Sequence, residues 1–137
     1  MNTLTRKLAT AGSALAMAAS GLLFASSPAS AATSCYAASC HGLDPATTIC
    51  QNDARTVLWD RSGRVELRYS PQCRTAWARQ GFGPAGRITV NNSQGAVFAA
   101  DYSGGNPAWT RMVNDKDIAA WACGTWNTGE FGCTNRY

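Results

Sequence analysis

From residue 56 onward, apolar and polar residues alternate in short runs, each closed by a turn signal. Thr56-Val57-Leu58-Trp59 ends at Asp60-Arg61-Ser62-Gly63, and Val65-Glu66-Leu67-Arg68-Tyr69 then alternates with a period of two. The pattern predicts a β-hairpin with Val65, Leu67 and Tyr69 turned to the core, and Arg64, Glu66 and Arg68 turned to water or a partner. Ser70-Pro71-Gln72 breaks it. Cys73 to Gln80 fits a helical turn by its alanine and arginine content, or a strand in which Thr75 and Trp77 alternate. Arg87-Ile88-Thr89-Val90 and Ala96-Val97-Phe98-Ala99-Ala100 flank Asn91-Asn92-Ser93-Gln94-Gly95 as a second hairpin. Trp109 to Val113 predicts a further strand, and Asp117 to Cys123 a strand or short helix. The expected fold is all-β, a small disulfide-stabilised β-sandwich or barrel with little helix.

The first 31 residues follow a different pattern. Arg6 and Lys7 precede an uncharged run from Leu8 to Phe24, and Ala29-Ser30-Ala31 supplies small residues in A-x-A spacing after Pro28. This is the layout of a cleaved secretory signal peptide. As a membrane anchor the run is at the lower limit of length and diluted by Gly12, Ser13, Ser20 and Gly21. Cleavage after Ala31 leaves a single domain, residues 32–137, secreted, extracellular and without stable membrane insertion.

Export changes how the cysteines are read. Cys35, Cys40, Cys50, Cys73, Cys123 and Cys133 all lie in the mature part, an even number suited to an oxidising compartment. They lack the C-x2-C pairs of a zinc site, so the expectation is three disulfides, no metal and no cofactor. A local Cys123–Cys133 bridge is predicted around the glycine-rich segment between them. Cys40–Cys50 around Asp44-Pro45 is the next expected pair, and Cys35–Cys73 then follows by elimination.

Charge excludes one class of partner. The whole chain carries +4, but without Arg6 and Lys7 only 10 basic residues face 8 acidic ones, a net of +2. Nucleic acid is therefore not an expected partner. Nor is catalysis expected. His41 is the sole histidine and sits beside Cys40 in an expected disulfide loop, where it reads as a surface or loop-packing residue. Asp44 before Pro45 reads as a turn cap. Asp115-Lys116-Asp117 lacks the further oxygen ligands and turn glycine of a calcium loop.

Two features suit binding. Arg55, Arg61, Arg64, Arg68, Arg74 and Arg79 fall within 25 residues, against only Asp60 and Glu66. Arg64 and Arg68 are the candidates from this group for an anionic cell-surface polymer. The second feature is aromatic. Trp59 and Trp77 read as core, whereas Trp126, among Gly, Thr and Asn, and Tyr102 in Asp101-Tyr102-Ser103-Gly104-Gly105 read as a sugar-stacking or protein-docking surface.

Cys35-x4-Cys40-x-Gly42-x-Asp44-Pro45-x4-Cys50, followed by Val65-Glu66-Leu67-Arg68-Tyr69-Ser70-x2-Cys73-x3-Trp77-Ala78-Arg79, resembles the family catalogued as domain of unknown function 2690. The resemblance runs from about Cys35 to Val113 and implies an exported, actinobacterial-type, disulfide-bonded domain. It carries no active residues, and the Cys123/Cys133 pair looks like an addition to it. The expected function is a secreted, non-enzymatic recognition or adaptor domain. It would bind another exported protein or an anionic or carbohydrate cell-surface polymer, including as a component of an extracellular toxin-type assembly. The alternatives are an inhibitor of secreted hydrolases presenting Thr125 to Phe131, and a small wall-acting hydrolase using two carboxylates.

Overall fold

β1 (Arg55–Trp59) and β2 (Val65–Ser70) form the first hairpin, and β3 (Thr75–Gln80) adds to it antiparallel, so the ambiguous segment after Cys73 is a strand. The computed structural model describes residues 31–137, and the expected leader, apart from Ala31, lies outside them. β4 (Gly86–Asn92) and β5 (Val97–Tyr102) form the second hairpin. The chain then returns to β3 with two short strands, β6 (Ala108–Trp109) and β7 (Val113–Asn114). β8 (Ala120–Trp126) pairs with β4, and β9 (Phe131–Cys133) closes the second sheet. The strand orders are β1-β2-β3-β6, with β7 also on β3, and β5-β4-β8-β9.

The sheets face each other as a sandwich. Val65, Leu67, Tyr69, Ala76 and Ala78 from the first sheet share one core cluster with Ile88, Val90, Ala120, Ala122 and Trp126 from the second. Both hairpins and the inward set Val65, Leu67 and Tyr69 are as the alternation predicts.

The first sheet is covered on its other face as well. Three single-turn 3-10 segments, Ala37–Cys40, Pro45–Thr47 and Ile49–Asn52, form a cap over it. Beneath this cap Cys40, Cys50, Cys73, Trp77 and Met112 make a second cluster, with Leu43, Ile49 and Ala54 packed against it. This corrects the expectation that the outward face of β2 meets water: Glu66 and Ser70 are buried and Arg68 is half-buried. Asp44 caps the second segment by accepting from the Ala46 amide, and His41 is exposed at the surface, its Nδ1 accepting from the Asn114 amide at 3.1 Å.

The bridges are Cys35–Cys40, Cys50–Cys73 and Cys123–Cys133. The last is as expected, and the other two correct the predicted pairing of Cys40 with Cys50 and Cys35 with Cys73. The reason is geometric. All four sulfurs lie within 4.8 Å of one another, and the Cys50 Sγ is 3.5 Å from that of Cys35 and 3.6 Å from that of Cys40. Sequence spacing does not discriminate among partners so closely gathered. No helix among the described residues is long and apolar enough to cross a membrane.

Candidate functional site

The expected aromatic surface is not a surface. Trp126 is 3% exposed and Tyr102 is 4% exposed. The two are brought together, each directly opposite Gly86 on neighbouring strands, but they are buried there. Glycines make the room. A Cβ on Gly86 would lie 2.8 Å from the Trp126 ring, and one on Gly124 would lie 2.5 Å from it. The glycines around Trp126 therefore accommodate an indole, which they do by lacking a side chain rather than by bending a loop. The buried ring donates from Nε1 to Gln80 Oε1 at 3.0 Å.

Arg64 and Arg68 do not share a face either. Arg64 precedes β2, lies over the Trp126 ring at 5.0 Å and pairs with Glu130, so it acts as a lid on the core. Arg68 stands on the outer face of the first sheet, where the remaining functional groups gather.

There the register aligns one row across four strands: Trp59 opposite Glu66, Glu66 opposite Arg79, and Arg79 opposite Trp109. Directly opposed residues of antiparallel strands point to the same side. Three inter-strand steps separate the tryptophans by about 14 Å. Trp59 is 49% exposed, which corrects its assignment to the core, and Trp109 is 41% exposed. Between them Glu66 accepts from Arg79 Nη1 and from Thr56 Oγ1. Thr56 Oγ1 in turn accepts from Arg68 Nη1 at 3.0 Å, and Arg68 Nη2 donates to the Ala54 carbonyl at 3.2 Å. The Trp109 indole N–H donates to Asp44 Oδ1 at 2.9 Å, which fixes that ring.

These groups enclose a hollow of about 200 Å³ lined by Pro45, Gln51, Arg68, Trp77, Arg79 and Trp109. Of the two guanidinium groups that line it, Arg79 is paired with Glu66 and Arg68 bonds only neutral oxygens, so the hollow is polar with a small positive surplus. Sequence reading found Arg68 and missed Trp59, Glu66, Arg79 and Trp109 as a set. The outward alternation of Glu66 and Arg79 was the available signal.

A family model described as a protein of unknown function (DUF2690) matches residues 38–123. The chain belongs to this family. No curated protein and no solved structure matches it. The DUF2690 match spans the whole Trp59–Trp109 row. It also takes in Asp44, Pro45, Glu66, Arg68, Trp77 and Arg79, six of the motif residues on which the resemblance rests. In this DUF2690 protein these six lie at or beside the outer-face hollow, while Val65, Leu67, Tyr69 and Ala78 of the same motif face the core between the sheets. The match ends at Cys123, so β9 and the tail after it lie beyond the matched region.

Proposed function

We propose that this protein is an exported, non-enzymatic recognition domain that binds a cell-surface polysaccharide across the outer face of its first sheet. The observation that carries the reading is the row Trp59–Glu66–Arg79–Trp109. Sugar rings present apolar C–H faces that stack on indoles, and hydroxyls that pair with guanidinium and carboxylate groups. A span of about 14 Å suits an extended chain rather than a single small molecule. One ring and one ion pair are held before any ligand arrives, Trp109 by Asp44 and Arg79 by Glu66, which reduces the ordering cost of binding. Export is supported by three disulfides in a small domain.

In the hollow only Arg68 lacks a carboxylate partner among the described residues, and one such charge suits a carbohydrate better than a purely anionic polymer that needs many, so binding is expected to weaken only modestly with salt. The test is binding to purified wall polysaccharide at low and high salt. Trp59→Ala, at an exposed site, is expected to weaken binding about tenfold or more, which corresponds to about 1.4 kcal/mol. Unchanged binding in this variant and in Arg79→Ala would reject the reading. A second reading, docking on an exported protein, is favoured by the exposed Phe131 on the hairpin braced by Cys123–Cys133. It predicts that Phe131→Ala reduces capture of a stoichiometric protein from culture supernatant, while Trp59→Ala does not.

A further inference from the structure

At the far end of the first sheet from Gln80, a second hollow of about 500 Å³ opens between the β2 end and the loop before β8. Asp115 lies at its floor, only 6% exposed, and neither carboxylate oxygen has a hydrogen-bond partner among the described residues. The nearest cation does not answer it. Arg74 commits Nη2 to Asp117 at 3.2 Å, and its buried Nε is also unpartnered among those residues.

Backbone geometry sets this arrangement. Arg74 and Asp117 both adopt left-handed conformations, with φ of 52° and 59°. Asp117 tolerates that region, but for arginine it is uncommon. The Asp115 amide donates to the Arg74 carbonyl at 3.0 Å, which locks the two segments side by side. The walls are aromatic: Tyr69 and Tyr137 pack edge to face with ring centroids 5.0 Å apart. The remaining nearby cation, Lys116, lies over the Tyr36 ring at 5.8 Å.

Asp115, Asp117 and Arg74 together carry one more negative than positive charge when both carboxyls are ionised. We infer that this hollow is a binding site for one primary alkylammonium group, seated between Asp115 and the tyrosine pair. An ammonium supplies the three donors and the single charge that the floor lacks, and its alkyl stem suits the tyrosine rings. The inference does not depend on the outer-face reading, because no residue is shared between the two hollows.

In the unliganded protein the missing charge is supplied by a proton. Burial pushes the Asp115 carboxyl up to about 7, against a smaller opposing effect of the Arg74 charge. Burial likewise raises the Tyr69 hydroxyl, so Tyr69 stays neutral as Asp115 titrates. An incoming ammonium displaces the Asp115 proton, so affinity rises with pH through this range.

The test is calorimetry with n-butylamine, which stays charged across the range as lysine does, and with N-butylacetamide as its uncharged counterpart. Butylamine is expected to bind about tenfold more tightly at pH 8 than at pH 6, releasing a proton, and the acetamide is expected not to bind. Asp115→Asn should abolish butylamine binding while leaving the circular dichroism spectrum intact, and Trp59→Ala should leave it unchanged. N-acetyl-Gly-Lys-Gly-amide, whose only amine is the lysine ε-amine, then distinguishes the source: binding like butylamine points to a lysine side chain, and its failure restricts the site to small free amines. Equal binding of amine and acetamide, affinity independent of pH, binding retained in Asp115→Asn, or no binding of butylamine at pH 8 would each overturn the inference.

Discussion

Single residues decide where this molecule is strained and where it is soft. Asp115 is ionised in the unfolded chain above its ordinary value of 3.8, but holds a proton up to about 7 when folded. Between those values the folded state binds more protons than the unfolded state, so stability falls as pH rises through that window. Below it the penalty is absent and above it complete, of order 2–4 kcal/mol. Urea unfolding of Asp115→Asn and the parent protein should therefore coincide near pH 3.5 and separate progressively to pH 8, with the variant more stable. Parallel curves across the range would contradict this. Gly124 is the converse case, because an added methyl would press on a buried indole that has no free direction to move. Gly124→Ala should cost about 1–3 kcal/mol in the same assay. Neither effect was legible in the sequence. Gly124 read as a turn residue because its role depends on Trp126, two positions away on the same side of β8. Asp115 read only as part of an incomplete calcium loop, because its burial comes from residues distant in sequence such as Tyr69 and Tyr137.

Elements were more legible where their partners are adjacent in sequence. Both hairpins, and the inward turn of Val65, Leu67 and Tyr69, follow from alternation and turn residues alone. Alternation reports only that a strand has two faces, and cannot say what lies over the second. The cap formed by residues 37–52 lies on the outer face of β2 and β3, and it converts an expected solvent-facing row into a half-closed, polar one. The same limit explains the bridges. Cys123 and Cys133 are direct cross-strand neighbours and were predictable, whereas the other four cysteines meet in a single knot. Exposure sets their order of opening. Cys133 is exposed and Cys123 half-exposed, whereas of the other four only Cys35 is half-exposed and Cys40, Cys50 and Cys73 are fully buried. Under increasing reductant, alkylation followed by mass spectrometry should show two labelled thiols, in Cys123 and Cys133, before the other four appear. Simultaneous labelling of all six would mean that the β8–β9 hairpin and the cap open as one unit.

At the scale of the whole molecule, the two faces of the first sheet divide the work. The inner face packs against the second sheet and supplies the main core, while the outer face carries the cap and the exposed Trp59 and Trp109 with the paired ions Glu66 and Arg79 between them. The polar groups on that side are hydrogen-bonded: buried Glu66 to Arg79 and Thr56, and half-buried Arg68 to Thr56 and Ala54. A hydrogen-bonded network of this kind stands rigid and resists rearrangement when a ligand docks. The measurement that bears most directly on this account is nuclear magnetic resonance of the tryptophan indole N–H groups during titration with fragments of wall polysaccharide. The account predicts that the Trp59 and Trp109 signals shift together and saturate at one fragment per chain, while the signal of buried Trp126 stays still. Shifts confined to the β8–β9 hairpin, or no shift of Trp59 at saturating polysaccharide, would contradict it.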